Sequence, residues 1–258
     1  MATTIHPTAI IHSGAELGDD CEIGPYCIIG AQVRLGPGNR LHSHVVIEGH
    51  TTLGRENEVF PFACLGGRTQ DLKWKGGHTR VEIGDRNTLR EYVTVHAATG
   101  DGGATIVGSH NNLLAYTHIA HDCQLGNHII MSNLAQIAGH VVIEDHAILG
   151  GMSAIHQFSR VGRLAMVAAC TPIRRDVAPY MLVSGDPAET VKANVVGLER
   201  AGLDAEVIRA LGQAHRILFR EGLSTPNALT KLEADLPPLP EILHLIQFVR
   251  TSERGVTK

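Results

Sequence analysis

The sequence repeats an aliphatic residue every six positions over most of its length. From Ile5 to Ile173 there are 29 positions spaced by six, and 26 of them are aliphatic. Only Asp71, Gly77 and Asp101 interrupt the series. An amphipathic helix would repeat every three or four residues, and a half-buried strand every two. The pattern therefore excludes both as the main element and predicts a chain built from hexapeptide repeats.

The slots of each hexapeptide, counted from the aliphatic residue, are used consistently. The second slot is often glycine, as at Gly18, and the fifth is small or β-branched, as at Val45. This describes a short strand and a tight corner, so that three hexapeptides close one triangular coil. Stacked coils would pair as parallel strands about 4.8 Å apart. The pattern resembles that of left-handed parallel β-helix proteins, and we predict a mainly β fold of about ten such coils.

Composition limits the class of protein further. Only 4% of the chain is aromatic, so aliphatic and small residues must fill the core, and the net charge of −4 argues against a general nucleic-acid binder. No secretory signal and no run of about 18 apolar residues is evident. The five cysteines form no CxxC motif, and Cys21, Cys27 and Cys123 occupy the fifth slot of small buried residues. We expect a cytoplasmic protein with reduced cysteines.

The hexapeptides stop after Arg175, and helical spacing follows. We predict helices in 194–202, 203–222, 226–235 and 240–252. The expected domains are therefore a β-helix over residues 1–180 and a C-terminal helical domain over residues 181–258. Two loops leave the coils and rejoin them in phase: the first excursion, 66–82, replaces about two hexapeptides, and the second excursion, 97–106, replaces one. Loops on a rigid scaffold often carry function.

The strongest candidate site lies around His121. Fourteen of the 16 histidines precede residue 176, and none occupies an inward-facing slot. At steps of one coil, His121 lies above Gly139, Gln157 and Arg175 in one column, while a second column places Asp122 beside His140. His121 could deprotonate an attacking hydroxyl while the Gly139 N–H meets the developing oxyanion of an acyl centre.

A second chemistry is also open to outward histidines on such a prism. Three of them converging across a subunit boundary could hold zinc and activate water. No tight ligand spacing in the sequence enforces such a set. A zinc assay on the purified protein would separate the two chemistries.

With these residues in view, the chain closely resembles the UDP-N-acetylglucosamine O-acyltransferases that open lipid A biosynthesis. The resemblance covers essentially the whole chain, and HIAHDC in register with AGHV and IHQF is its most specific part. The motifs that carry it are HPTAI (6–10), SHVVIEGHTTLG (43–54), QDLKW (70–74), RVEIGDRN (80–87), HIAHDC (118–123), AGHV (138–141), GGMSAIHQF (150–158), RDVAPY (175–180) and residues 194–202.

The resemblance implies an activity and a set of site residues. It implies a homotrimer with clefts between neighbouring prisms, in which a 3-hydroxyacyl group passes from an acyl carrier protein to the glucosamine 3-hydroxyl of UDP-N-acetylglucosamine, without a metal or organic cofactor. By this resemblance His121 is the general base, Asp122 orients it or stabilises its charge, and Gly139 supplies the oxyanion hole. Asp71 and Lys73 match residues that contact the sugar and its phosphates. The remaining matches are the cleft residues His118, His140, His156 and Gln157 and the UDP-holding tail residues Asn194 and Arg200.

The chain also departs from the family, and other functions stay open. Ala97 and Ala98 stand in a stretch where the family often has His-Arg-Gly-Thr, and Ala201 replaces a frequent second arginine. The alternatives are N-acylation of a 3-amino sugar nucleotide, short-chain transfer from coenzyme A, a trimeric zinc hydratase, or a non-catalytic scaffold. Because the chain is net negative, docking of an acidic carrier protein needs a local basic patch. We predict that patch at Arg209, Arg216 and Arg220, with support from Arg160, Arg163 and Arg174 on the late coils.

Overall fold

A computed structural model describes residues 2–258, and the predicted left-handed parallel β-helix with a helical tail is confirmed. Most strands are two residues long and fall at slots six and one, with the corners between them. The first sheet consists of β1 Thr4–Ile5, β4 Glu22–Ile23, β7 Arg40–Leu41, β10 Glu58–Val59, β13 Thr88–Leu89, β16 Asn112–Leu113, β19 Ile130–Met131, β22 Ile148–Leu149, β25 Met166–Val167, β27 Met181–Ser184 and β28 Glu189–Ala193. The second consists of β2 Ile10–Ile11, β5 Ile28–Ile29, β8 Val46–Ile47, β11 Cys64–Gly67, β14 Thr94–His96, β17 His118–Ile119, β20 Gln136–Ile137, β23 Ala154–Ile155 and β26 Pro172–Ile173. The third consists of β3 Glu16–Leu17, β6 Arg34–Leu35, β9 His50–Leu53, β12 Arg80–Ile83, β15 Ala104–Val107, β18 Gln124–Leu125, β21 Val142–Ile143 and β24 Arg160–Val161.

The strand register confirms the coil of three hexapeptides and the lengths of both excursions. Ile119 pairs with Ile137, three hexapeptides further along the chain. Val59 pairs with Leu89, five hexapeptides on, so the first excursion adds two hexapeptides to its coil. Leu89 pairs with Leu113, four hexapeptides on, so the second excursion adds one. The columns read from the sequence therefore hold through the candidate site.

The core follows the slots, with one addition that the hexapeptide pattern did not predict. Every first-slot aliphatic residue from Ile23 to Ile173 is buried, as are the three cysteines assigned to the fifth slot. The addition is a ladder of buried asparagines at the fifth slot of successive coils, in which each side-chain oxygen accepts a hydrogen bond from the next asparagine. Its members are Asn39, Asn57, Asn87 and Asn111.

The chain turns between consecutive strands at the fourth slot of the hexapeptide. Residues at this slot repeatedly adopt a positive φ, among them Asp122 and His140, each at 59°. This conformation turns the chain sharply enough for three short strands to close one coil. At the corner that follows β17, it also brings the Asp122 side chain back alongside His121.

The tail contains four helices, close to the predicted positions: α1 Val195–Arg200, α2 Ala205–Phe219, α3 Thr225–Asp235 and α4 Pro240–Arg250. They share a second hydrophobic core, and buried Asp176 joins them to the coils by accepting hydrogen bonds from Arg160 Nε at 3.0 Å and Ser252 Oγ at 2.7 Å.

The domain boundary at residue 180 stays a prediction, since β27 continues the first sheet beyond it. No helix within residues 2–258 is long and apolar enough to cross a membrane.

Candidate active site

A cleft of about 760 Å³ lies on the outer face of the second sheet. Its floor is formed by outward residues of β17, β20 and β23 and of the corners that follow them, and the first excursion forms one wall. The lining residues are Gln70, Asp71, Leu72, Lys73, His96, His118, Ala120, His121, Gln136, Ile137, Ala138, Gly139, Ala154, Ile155 and Gln157. Six of the eleven residues predicted for catalysis or substrate binding are therefore brought together here.

His121 and Asp122 form a direct hydrogen-bonded pair, although they are adjacent in sequence. His121 Nδ1 lies 2.8 Å from Asp122 Oδ2, and the two side chains are only 14% and 16% exposed. The Asp122 carboxylate also accepts the Thr99 N–H at 3.0 Å, and the Asp122 N–H donates to Thr105 Oγ1 at 2.9 Å. With Nδ1 bound to the carboxylate, the other ring nitrogen, Nε2, is the one available to take a proton from a substrate.

Gly139 lies directly against the His121 ring, one coil away, as the column predicted. A Cβ at position 139 would overlap the imidazole, with Nδ1 2.9 Å away. Among residues 2–258 no acceptor bonds the Gly139 N–H. In the regular coils the third-slot N–H has no main-chain acceptor, and proline, which has no N–H, occupies the slot at Pro7, Pro25, Pro37 and Pro61. Where this N–H is bonded, a side chain accepts it, as at Asn127. The coil therefore offers an unused donor beside the imidazole.

Two further histidines line the cleft in neutral form at neutral pH. Burial, followed by the charges of nearby His96 and His121, lowers the pKa of His118 to about 4. Burial, followed by the charge of His121, also lowers the pKa of His96. The His96 and His118 rings meet edge to face with centroids 4.8 Å apart, and His118 Nδ1 bonds Thr94 Oγ1 at 2.7 Å. Neutral imidazoles can donate or accept a hydrogen bond to an uncharged hydroxyl or amide.

The first excursion places Asp71 and Lys73 on the cleft wall. Asp71 Oδ1 accepts the Lys73 N–H at 2.9 Å, and the Asp71 N–H donates to Thr69 Oγ1 at 3.1 Å. The Lys73 side chain is exposed, while Asp71 is half-buried. A cation and a hydrogen-bonding carboxylate at this position suit a phosphorylated sugar.

The other predicted residues lie at or beyond the rim of the cleft. His140 stacks on Phe158 with ring centroids 4.6 Å apart and approaches Asp122 Oδ2 at 3.7 Å. His156 is exposed, and its Nδ1 lies 3.4 Å from Arg254 Nη2. Asn194 is buried at the start of α1, where its amide bonds Leu164 O and the Gly197 N–H.

Arg200 and the arginines predicted to dock the carrier protein lie on the tail, outside the cleft lining. Arg200, Arg209 and Arg216 are exposed, and Arg216 Nε is 3.4 Å from Glu221. Arg220 donates to the carbonyls of Thr190 and Val191, at 2.9 and 3.1 Å. Two of the three docking arginines thus already have partners, and their docking role stays a prediction.

One group in residues 2–258 has the composition of a metal site. Ligand atoms of His121, Asp122 and His140 lie within 4.8 Å of one another. The hydrogen bond between His121 and Asp122 uses Nδ1 and Oδ2, so a cation bound to these atoms would compete with that hydrogen bond.

Sequence reasoning missed His96 and Thr99 as parts of the site. His96 follows Val95, which pairs with Ile119, so it shares a column with Ala120. A register corrected for the second excursion would have found it. The contact between Thr99 and Asp122 depends on the path of the loop, and no sequence periodicity encodes that path.

Comparisons with known proteins match both parts of the chain. A family described as UDP-N-acetylglucosamine O-acyltransferase, domain 2, matches residues 176–257, and the bacterial transferase hexapeptide family (six repeats) matches residues 2–37. The acyl-[acyl-carrier-protein]–UDP-N-acetylglucosamine O-acyltransferase of Thermodesulfovibrio yellowstonii is 48% identical over 255 residues, which cover 98% of this chain and 99% of that protein.

Solved structures agree over nearly the full length. The chain aligns with a UDP-N-acetylglucosamine acyltransferase from Bacteroides fragilis at a TM-score of 0.97 and 39% identity, covering 99% of this chain and 100% of the other. It aligns with a UDP-N-acetylglucosamine O-acyltransferase from Moraxella catarrhalis at a TM-score of 0.94 and 41% identity, covering 98% and 99%. The similarity extends over coils and tail alike.

Proposed function

Because the chain belongs to the family of acyl-[acyl-carrier-protein]–UDP-N-acetylglucosamine O-acyltransferases, we propose that His121, Asp122 and Gly139 form its catalytic centre. The enzyme moves a 3-hydroxyacyl group from the thioester of acyl carrier protein to the glucosamine 3-hydroxyl of UDP-N-acetylglucosamine, in lipid A biosynthesis. The observation that carries the assignment of the centre is the contact of the His121 ring with both the Asp122 carboxylate and Gly139.

The first step is attack of the sugar hydroxyl on the thioester carbon. His121 Nε2 takes the proton of the 3-hydroxyl as its oxygen forms the new C–O bond. Asp122 accepts the hydrogen bond from Nδ1 and stabilises the imidazolium that results. The Gly139 N–H donates to the carbonyl oxygen as it gains negative charge, and a donor fixed by the coil needs no reorganisation at that moment.

The second step is expulsion of the carrier. The oxyanion collapses, the C–S bond breaks, and the thiol of the carrier leaves after taking the proton from His121. The base returns to its neutral form and the acyl group is now an ester of the sugar. The thioester already supplies an activated acyl group, so no resident cofactor is needed for this chemistry.

The remaining predicted residues bind the sugar nucleotide in this proposal. Asp71 and Lys73 contact the sugar and its phosphates from the cleft wall, and His118, His140, His156 and Gln157 complete the acceptor site. Asn194 and Arg200 lie outside the cleft of their own chain, and in a trimer they would reach the uridine end of a substrate bound to a neighbouring subunit. The buried Asn194 amide starts α1 and so fixes the direction of the segment that ends at Arg200.

We propose a homotrimer with the cleft completed by a neighbouring subunit. Leu72, at the tip of the cleft wall, is fully exposed. One prism corner carries a column of exposed apolar side chains, with neighbouring aromatic rings 4.7 to 5.0 Å apart. Its large apolar members are Tyr26, Phe62, Tyr92, Tyr116, Leu134 and Met152. A long apolar stripe of this kind marks a surface that pairs with another chain.

The proposed compartment is the cytoplasm. All five cysteines are free, and three of them are buried as small apolar side chains. Unpaired cysteines fit a reducing compartment.

Sedimentation of the purified protein would test the trimer, which should have three times the mass of one chain.

An acylation assay tests the catalytic assignment. Purified enzyme is incubated with UDP-N-acetylglucosamine and 3-hydroxyacyl–acyl carrier proteins of several chain lengths, and ester formation is followed by mass spectrometry. We expect product with the natural chain and a loss of more than 100-fold in His121→Ala, with His12→Ala, an exposed histidine on an early coil, as the matched control. Undiminished activity in His121→Ala would defeat the assignment of the base.

A further inference from the structure

The two excursions are hydrogen-bonded into one unit that reaches from the cleft wall to the catalytic pair. We propose that this unit sets the position of the Asp122 carboxylate, with Thr99 as a positioning residue and the Thr69–Thr99 hydroxyl contact as the link to the Asp71–Lys73 segment. The inference rests on the proposed function, because it assigns a role relative to the His121–Asp122 pair.

Backbone hydrogen bonds join the excursions at both ends. At one end the Ala97 N–H donates to Gly67 O at 2.8 Å. At the other end the Gly102 N–H donates to His78 O at 2.8 Å, and the His78 N–H donates to Asp101 Oδ1 at 2.7 Å. A displacement of the first excursion therefore carries the second excursion with it.

A continuous chain of hydrogen bonds crosses the middle of this unit. The Asp71 N–H donates to Thr69 Oγ1 at 3.1 Å, and Thr69 Oγ1 lies 2.9 Å from Thr99 Oγ1. The Thr99 N–H then donates to Asp122 Oδ2 at 3.0 Å, the same oxygen that lies 2.8 Å from His121 Nδ1. Three short contacts thus separate Asp71, on the acceptor wall, from the carboxylate that supports the base.

The contacts in this chain of hydrogen bonds are largely shielded from water. Thr69 is buried, and the Asp122 side chain is only 16% exposed. A hydrogen bond shielded from water is electrostatically stronger and less readily exchanged. A Cβ on Gly103 would lie 3.3 Å from Asp122 Oδ1, so the second excursion passes close to the other carboxylate oxygen as well.

Asp122 has two kinds of support, and only one of them can transmit a movement of the loops. Its own N–H donates to Thr105 Oγ1, which lies near the end of the second excursion, where the chain has already rejoined the coil stack as β15 and Thr105 is fully buried. Its carboxylate, in contrast, is held by Thr99 in the irregular part of that excursion, before β15. Occupation of the wall at Asp71 and Lys73 would therefore tighten the loop unit and align the carboxylate with His121 Nδ1. Sugar binding and preparation of the base would be coupled.

A double-mutant cycle on the two threonines tests the coupling. The single variants Thr69→Val and Thr99→Val each remove one hydroxyl and keep the shape of the side chain, and the double variant removes both hydroxyls. We expect kcat at saturating UDP-N-acetylglucosamine to fall by about 3- to 10-fold in either single variant, the size that one net hydrogen bond supports. Both single changes break the Thr69–Thr99 contact, and Thr69→Val also removes the acceptor of the Asp71 N–H. The double variant should therefore lose no more than Thr69→Val alone. Thr99→Ser should restore kcat to within about twofold, since it returns the hydroxyl.

Thr69→Val is the decisive variant, because no atom of Thr69 bonds Asp122, whereas the main-chain N–H of Thr99 does. A merely structural role would lower the melting temperature without lowering kcat of the folded enzyme. Thr190→Val, which removes a fully buried hydroxyl bonded to Thr257 O in the tail, is the matched control and should leave kcat unchanged. If Thr99→Val does not fold, Thr69→Val and Thr99→Ser still carry the test.

The outcomes separate this inference from the function on which it rests. Losses in the two single variants that multiply in the double variant, or an unchanged kcat in folded Thr69→Val, would overturn the coupling. If the natural enzyme is active, His121→Ala is inactive and the threonine losses multiply, only the coupling fails. If His121→Ala keeps its activity, the assigned base itself is wrong.

Discussion

Replacing Gly139 with alanine should inactivate the enzyme while leaving the coil folded. The backbone at position 139 has no positive φ, so alanine is acceptable to the main chain there. The added Cβ would overlap the His121 ring, and Nδ1, at 2.9 Å, is the most distant of the three ring atoms that it would meet. Carbon atoms prefer a separation of about 3.5–4.0 Å, so the ring must move by roughly 1 Å or more.

The size of that displacement sets the expected loss. A catalytic group misplaced by about 1 Å can cost about 100-fold in rate, which corresponds to about 2.7 kcal/mol of transition-state stabilisation. The ring cannot move freely to make room, because Nδ1 is bonded to Asp122 and the His140 ring meets it edge to face, with centroids 5.2 Å apart. We therefore expect kcat to fall by about two orders of magnitude, with a smaller change in KM for the sugar nucleotide.

The assay compares initial rates of ester formation with thermal unfolding of the same preparations. Gly212→Ala is the control, because nothing lies within 4 Å of a Cβ placed there on α2. That variant should keep full activity and gain up to about 1 kcal/mol of stability from the helix propensity of alanine. A Gly139→Ala enzyme with kcat within about threefold of the natural value would refute the claim that the His121 ring occupies this space as a catalytic group.

Three further results are expected. Asn57→Ala should lower the free energy of unfolding by about 3 kcal/mol in urea titrations, because the buried Asn87 main-chain N–H loses its acceptor and the Asn87 amide keeps only its bond to Gly108 O. Asn227→Ala, at an exposed position, should have little effect. The lowered pKa of His118 means that the unfolded chain binds its proton first as pH falls, so this group's contribution is complete above pH 6.5 and is lost towards pH 4. Between pH 6.5 and pH 4, urea titrations should therefore show the free energy of unfolding falling by up to about 3 kcal/mol less in His118→Gln than in the natural protein. An equal fall in the two proteins would contradict the lowered pKa of His118. Prolonged dialysis against a chelator should leave acyl transfer unchanged, and activity that vanished and returned with Zn²⁺ would instead assign the His121–Asp122–His140 group to metal catalysis.

The coil register could be predicted from the sequence because one strong requirement sets the period: a side chain must be buried at every first slot. That requirement also placed His121 above Gly139 without any knowledge of the corners. It could not predict the asparagine ladder, since the ladder depends on amides bonding between coils and does not depend on apolar burial. It also could not supply Thr99, whose N–H reaches Asp122 only through the path of an irregular loop.

The position of a residue within the hexapeptide decides whether an adjacent acid and histidine form a hydrogen-bonded pair. His121 is the only histidine in a third slot, and the acid Asp122 follows in the fourth. Asp145 and His146 carry the same two residue types in the reverse order at another corner. There the third-slot carboxylate accepts the Asn127 N–H of the neighbouring coil at 2.7 Å, and no hydrogen bond to His146 is formed in the described part of the chain.

This contrast explains why a prism with so many outward histidines has one candidate base. The His121 side chain lies against Gly139, the third-slot residue of the next coil, whose main-chain N–H has no acceptor in the described part of the chain. An acid in the third slot instead accepts the third-slot N–H of the preceding coil, as Asp145 does from Asn127, and the His121 imidazole forms no such bond. The fourth slot, with its positive φ, then returns an acid to the imidazole. In this chain the proposed base, its supporting carboxylate and the proposed oxyanion donor thus converge where histidine, acid and glycine occupy slots three, four and three of two successive coils.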